Sequence, residues 1–285
     1  MEFKDAIKEI EGYQDIVHER EVLMKYGSDM TSYRGVVERV LFALHPKQLR
    51  LSVSEIIQET SSAKTIRFVA VEGNLPPFEA GQYINIFVDV NGIRTSRPYS
   101  ISSSPAQTAY YDITIRRVDD GFVSNYLLDE VKPGDEFFSS GPSGVFHYNP
   151  IFHGDDLVFI AGGSGITPFM SMMQEVADKN LSSRRIHLIY GCKDDCDVIF
   201  QDRINAIVSR HPNISFTLVV SDPPDNYQGR TGFITGKLLQ ELLGDLSQKT
   251  FYLCGPELMY NFCLHELEKL DIRKKQIRVE VFGPS

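Results

Sequence analysis

Arg97-Pro98-Tyr99-Ser100 puts three chemistries within four residues. The arginine offers a fixed cation with paired donors for phosphate, the tyrosine ring a plane for stacking, and the serine hydroxyl a hydrogen bond for a ring nitrogen. A tricyclic redox ring with a phosphate tail asks for all three. The same residues also suit a structural use, with the arginine on a barrel exterior and the tyrosine in its core.

A second stretch, AGGSGITPF over Ala161 to Phe169, follows the apolar run DLVFI and opens a helical pattern. Backbone N–H groups and the helix dipole can hold a pyrophosphate at such a place. Gly163 and Gly165 supply two glycines of the dinucleotide fingerprint, while Pro168 stands where the third belongs. Thr167-Pro168 reads as an N-cap followed by proline at the first helical position. A tight strand-to-helix connection would use the same residues. Two further turns, Tyr190-Gly191-Cys192 and Cys254-Gly255-Pro256, close later apolar runs. A parallel sheet would bring all three turns to the edge where such sheets bind ligands. Cys254 also suits the part of a small buried filler.

Three segments must position these groups. Residues 1–50 read as a helical N-terminal extension, with Ile7, Ile10, Tyr13 and Val17 at helical spacing and a second run from Val36 to Leu44 ended near Pro46. A packing or dimerisation appendage is its expected use. Over residues 51–150 the period switches to two, in LSVSEIIQ, KTIRFVAV, QYINIFVDV, RPYSIS and YDITIRRV, with one helical pattern, FVSNYLLDEV, after Gly121. Over residues 151–285, DLVFIAG, RIHLIYG, ISFTLVVS, KTFYLCG and QIRVEVFG alternate with helical segments. The expected fold is therefore a six-stranded antiparallel β-barrel followed by a parallel α/β, Rossmann-like domain, behind a helical extension.

The bulk numbers exclude several classes. With 285 residues, two domains are expected. The net charge of -9 argues against nucleic acid, which needs a basic surface. No apolar run is long enough to cross a bilayer, and the acidic start MEFKDAIKEIEG lacks a signal-peptide core, which predicts a cytoplasmic protein without a transmembrane segment. Cys192, Cys196, Cys254 and Cys263 fit neither a disulfide framework nor an iron–sulfur ligand set, so no metal centre is expected in the chain.

RPYS, GFVS over Gly121 to Ser124, GGSGITP, CGP and a terminal EVFG follow one another in this order. The set resembles the ferredoxin-NADP⁺ reductase superfamily over roughly residues 51–283. Within it the chain looks most like the NADH-oxidising reductases that feed a plant-type [2Fe-2S] ferredoxin, such as oxygenase reductase components and the flavin subunit of sodium-pumping quinone reductase. The resemblance implies that Arg97 and Pro98 belong to the flavin phosphate site, that Tyr99 stacks on the isoalloxazine, and that Ser100 bonds near the hydride-accepting nitrogen. Ile115, Arg116 and Arg117 would line the flavin edge, and Gly121, Val123 and Ser124 would contact the pyrophosphate. Gly162, Gly163, Gly165, Thr167 and Pro168 would hold the nicotinamide dinucleotide, with Gly191 on the same edge. Cys254, Gly255 and Pro256 would flank the nicotinamide, and Phe282 would cover the flavin until it moves. Ser100, Cys254 and Phe282 would thus be the catalytic positions.

The implied cofactors are FAD, with FMN as second choice, and NADH ahead of NADPH. For the latter, Asp194, Asp195 and Asp222 outnumber Lys193 and Arg230 where a 2′-phosphate would want cations. The implied partner is a [2Fe-2S] ferredoxin or a downstream iron–sulfur domain, since the sequence stops at VEVFGPS where related proteins often continue. Two alternatives stay open: an FAD-holding electron-transfer subunit of a larger complex without NAD(P)H turnover of its own, and a nucleotide-binding scaffold without flavin.

Overall fold

The computed structural model describes residues 48–281. The helical reading of residues 1–47 and the assignment of Phe282 lie outside the described residues. Among those described, no helix is long and apolar enough to cross a membrane.

The period-two region forms β1 (Leu49–Gln58), β2 (Ala63–Ala70), β3 (Tyr83–Val90), β4 (Ile93–Ser100), β5 (Tyr111–Arg116) and β6 (Glu136–Ser139). They pair antiparallel in the order β4-β3-β6-β1-β2-β5. The sheet curls until its two edges meet at a bridge between Ile101 and Ile113, where Ser102 N also donates to the carbonyl of Asp112 at 2.8 Å. Alternate residues such as Leu51, Val53, Ile66, Phe68, Ile84, Ile86 and Ile113 fill the interior. Helix α1 (Phe122–Asp129) closes it with Val123, Leu127 and Leu128.

Two features depart from the sequence pattern. β4 begins at Ile93, ahead of the RPYS run, because Asn91-Gly92 turns with positive φ at both residues and folds Ile93 back onto Val90. β6 is short and carries one buried and one exposed phenylalanine, Phe137 and Phe138, so it lacks a readable apolar alternation.

The second sheet contains β7 (Asp156–Gly162), β8 (Arg185–Cys192), β9 (Ile214–Val220), β10 (Arg230–Thr231), β11 (Thr250–Cys254) and β12 (Ile277–Glu280). All pairs are parallel, in the order β10-β9-β8-β7-β11-β12. Helices α2 (Thr167–Asp178), α3 (Gln201–Arg210), α4 (Gly236–Leu243) and α5 (Glu257–Lys269) cover it. Leu157, Phe159 and Ala161 of β7 join the core that includes Phe169 and Met173 of α2, while Val158 and Ile160 join the opposite one with Leu239, Cys263 and Leu267. Burial of both faces explains the unbroken apolar runs of these strands.

The chain runs outward from β7 to β10 and then returns to place β11 on the other side of β7. The strand order therefore reverses between β7 and β11, and a crevice opens at their carboxyl ends. Those ends are Gly162-Gly163 and Cys254-Gly255.

The two halves hold each other through polar contacts. Ser171 Oγ donates to the carbonyl of Ser103 at 2.7 Å, Gln174 Nε2 donates to that of Ser102 at 3.0 Å, and the ion pairs Arg116–Asp197 and Arg203–Glu59 cross the boundary.

Candidate functional site

A cleft of about 270 Å³ lies between the barrel and the parallel sheet. Arg97, Pro98, Tyr99 and Ser100 of β4 line one wall, Ile115 and Arg116 of β5 a second, and Gly121, Val123 and Ser124 at the start of α1 a third; Ser164 and Thr167 face them from the other half. Pro98 is tolerated because β4 is an edge strand of the ladder.

Arg97 Nη1 donates only to Thr95 Oγ1 at 3.2 Å and to the carbonyl of Ser96 at 2.9 Å. Among the described residues no carboxylate pairs with it, so its charge is available to an anion in the cleft. Burial pushes the Tyr99 phenol well above its ordinary range, more than the nearby Arg97 cation pulls it down. Tyr99 is therefore a neutral stacking surface.

The hydroxyls of Ser100 and Ser124 are buried and have no hydrogen-bond partner. Leaving one such oxygen unsatisfied costs about 1–3 kcal/mol, and native structures tolerate few of them. Both residues line the cleft, so a ligand with polar atoms fits there. Gly121 caps α1 without a side-chain bond, which leaves the first-turn N–H groups directed at the same space. An isoalloxazine with a phosphate tail matches this donor set: a stacking ring, two free hydroxyls, a helix start and an unpaired guanidinium.

On the opposite wall the glycine turn is shaped by contact with the Cys254-Gly255 turn. A Cβ on Gly165 would stand 2.2 Å from the carbonyl oxygen of Cys254, and one on Gly255 would lie 3.1 Å from the backbone of Gly162. Gly163 takes φ +53°, which glycine adopts without strain. The buried Tyr190 hydroxyl pins the Gly163 carbonyl at 2.8 Å. Pro256 caps α5, and Gly191 at the end of β8 makes only ordinary contacts.

Several expectations are corrected. Thr167 is not an N-cap: the 3-10 turn Gly163–Ile166 runs directly into α2, Ile166 holds the cap position, and Thr167 Oγ1 donates to the carbonyl of Ser164 at 2.9 Å. Arg117, just past the end of β5, does not line the cleft and pairs with exposed Asp129. The Cys254 thiol is fully buried; burial, with Glu280 beside it, holds it well above the ordinary thiol range, and its carbonyl rather than its sulfur packs on the glycine turn. Arg230 is bound to Glu241 at 2.8 Å.

Residues without a sequence assignment also take part. Thr114 and Ser164 line the cleft, and Asp197 anchors Arg116 from across the boundary. Glu280 is the register partner of Cys254, and burial raises its carboxyl above the usual range. Its place two residues before Phe282, inside EVFG, was the one available signal.

Comparison with known proteins gives the following. Residues 50–148 match the family model of the oxidoreductase FAD-binding domain, and residues 159–265 that of the oxidoreductase NAD-binding domain. The glycine betaine monooxygenase reductase subunit of Pseudomonas aeruginosa is 31% identical over 234 residues, covering 81% of this chain and 63% of the relative. NADH oxidoreductase HCR of Escherichia coli is 34% identical over 228 residues, covering 79% of this chain and 66% of the relative. The chain thus spans about two thirds of the length of these curated relatives. Among solved structures, the FAD/NAD-binding domain of nitric oxide dioxygenase from Vibrio cholerae superposes with TM-score 0.75 and 27% identity, over 83% of this chain and 99% of that one.

Proposed function

The chain belongs to the ferredoxin-NADP⁺ reductase superfamily of FAD- and NAD-binding oxidoreductases, and from that premise we propose that it takes hydride from NADH and passes single electrons to a [2Fe-2S] acceptor. FAD, when bound, supplies the step between a two-electron donor and one-electron acceptors. The protein supplies position, polarity and exclusion of water.

Each half has its task in this reading. Arg97 and the first-turn N–H groups of α1 hold the flavin phosphates, Tyr99 stacks on the ring, and Ser100 and Ser124 satisfy their hydroxyls against it. Ile115 and Arg116 border the ring edge. The Gly162–Pro168 turn and the Cys254–Pro256 turn, the latter through its main chain, receive the dinucleotide at the switch between β7 and β11, on the edge that Gly191 shares. Phe282, two residues beyond Glu280, is assigned the cover over the flavin. Residues 51–150 and 151–285 act as the flavin and dinucleotide halves, and a cytoplasmic location belongs to the same proposal. The observation that carries the reading is the buried, unpartnered Ser100 hydroxyl facing the cleft beside Tyr99 and Arg97.

An anaerobic titration of the purified protein, with NADH and NADPH added separately, tests it. The expected result is a yellow protein whose flavin bleaches with NADH at lower concentration than with NADPH, releases FAD by mass, and then reduces a [2Fe-2S] ferredoxin. A folded protein that takes up no flavin sinks the reading.

A further inference from the structure

The end of the parallel sheet opposite the cleft carries a surface that hydride transfer does not use. All strands of the sheet start there, and the segments that lead into β7, β11 and β12 lie side by side. Asn149 to His153 forms a tight turn ahead of β7: Ile151 N donates to Asn149 Oδ1 at 2.9 Å, and His153 N donates to the Asn149 carbonyl at 2.9 Å. Ile151 and Phe152 sit at its tip, 82% and 71% exposed. Single exposed apolar residues are ordinary. Two in succession, at the tip of a turn fastened to the core, make a preformed knob.

The residues that follow do the fastening. His153 is buried edge-on against the Tyr252 ring, with centroids 5.5 Å apart, and Arg278 Nε of β12 donates to its Nε2 at 2.8 Å. A Cβ on Gly154 would stand 3.5 Å from the Gln248 carbonyl, in ordinary contact with the loop before β11. That loop is stitched to the segment before β12, where Gln276 Nε2 donates to the carbonyls of Leu246, Ser247 and Lys249. The three segments form one continuous rim.

The charge of this rim departs from that of the whole chain, which is -9. Arg273, Lys274 and Lys275 are exposed just before β12, and Arg278 Nη1 donates to the Lys275 carbonyl at 3.1 Å. Among the described residues none of these four cations has a carboxylate partner. Most carboxylates of the rim are engaged: Asp156 by Arg185 and Lys249, Asp155 by the Tyr148 hydroxyl, and Asp245 by Ser247. Exposed Asp271 is the exception among the described residues. An apolar knob ringed by cations is complementary to an anionic bilayer, where apolar side chains enter the headgroup boundary and lysines and arginines meet acidic lipids. A projecting tip suits a fluid surface, which needs no matching recess.

We propose that Ile151 and Phe152, with Arg273, Lys274, Lys275 and Arg278, dock the protein on an anionic lipid surface. The cleft lies at the carboxyl ends of the strands, roughly 20 Å away along the seven residues of β7, so docking leaves its mouth free. This surface is separate from the cleft, and its role does not depend on which cofactors bind there.

The test is co-sedimentation of the full chain with vesicles of phosphatidylcholine alone and of phosphatidylcholine with one third phosphatidylglycerol, at low and at high salt. The wild type should bind only the anionic vesicles and leave them as salt rises. Lys274→Gln combined with Lys275→Gln should weaken binding roughly 25-fold, at about fivefold per charge. Phe152→Ser should weaken it roughly 10-fold. Phe87→Ser, which removes an exposed aromatic from the barrel instead, should leave it unchanged. Near-ultraviolet circular dichroism checks that each variant is folded. A wild type that stays in the supernatant overturns the proposal; if it then sediments as a dimer that Phe152→Ser dissociates, the rim is a self-association surface instead. Equal binding to both kinds of vesicle, or a Phe152→Ser protein and a lysine double variant that bind as tightly as the wild type, overturns it as well.

Discussion

Arg116 and Asp197 form an ion pair across the boundary between the barrel and the parallel sheet, 81 residues apart in sequence. Asp197 also accepts from Ser62 Oγ at 2.8 Å and from the Thr60 hydroxyl, so one carboxylate ties the β1–β2 turn and the end of β5 to the segment after β8. Arg116 borders the cleft on the same side chain, its Nη1 3.0 Å from where a Cβ on Gly163 would stand. Asp197 is therefore one of the groups that fix the barrel against the parallel sheet beside the cleft.

Asp197→Ala should leave one guanidinium and two hydroxyls without their acceptor. The expected loss of stability is about 1–3 kcal/mol. Flavin absorption should persist while reduction by NADH slows. Urea unfolding and stopped-flow absorption measure the two effects, and unchanged values for both would show that the pair is ornamental.

Arg97→Ala should weaken flavin retention, because the lost interaction is a charge-assisted one worth about 1.5–3 kcal/mol, or roughly 10- to 150-fold in affinity. Arg117→Ala removes a cation one strand-step beyond the cleft wall whose partner is exposed Asp129, and should leave retention unchanged. Equilibrium dialysis with FAD separates them; equal losses would mean that net charge matters and position does not.

Gly165→Ala drives a methyl group into the carbonyl of Cys254, 2.2 Å from its ideal position. Backbone on both sides leaves little room to yield, and the expected destabilisation is about 1–3 kcal/mol. The flavin wall lies on the other half, so absorption should stay while NADH binding is lost. Calorimetric titration with NADH reads this; wild-type affinity in the variant would show that the two turns can move apart.

His153 ties stability to pH. It is buried, Arg278 Nε donates to its Nε2 at 2.8 Å, and burial, then the Arg278 and His147 charges, push its pKa down to about 4. In the unfolded chain the ring titrates near about 6.5. Between those values the unfolded state binds a proton that the folded state refuses, so stability falls as pH drops from about 6.5 toward about 4, by at most about 1.4 kcal/mol per pH unit. Above that window the histidine contributes no slope. Urea unfolding across pH, taken as wild type minus His153→Asn, should show this difference; a flat difference would mean that the ring is already charged when folded.

The order of strands and helices was legible in the chain because a half-buried antiparallel strand alternates and a doubly covered parallel strand does not. LSVSEIIQ and DLVFIAG announce their sheets for that reason, and the glycine turns follow because a strand must turn into a helix on a fixed edge. β6 and the first half of β4 were not legible, since neither buries an alternating apolar set.

Only the folded molecule decided which chemical groups meet. Arg116 and Arg117 are neighbours of the same type, yet one borders the cleft and the other, just past the end of β5, a carboxylate outside it. Cys254 carries a reactive element in a turn motif, but the sheet hides its sulfur and presents its carbonyl. Ser100 and Thr114 come from different strands and become register neighbours only because the barrel closes at Ile101 and Ile113. Local periodicity dictates which way a side chain points along its own element; what it points at depends on closure and docking, which bring together residues with no short-range relation.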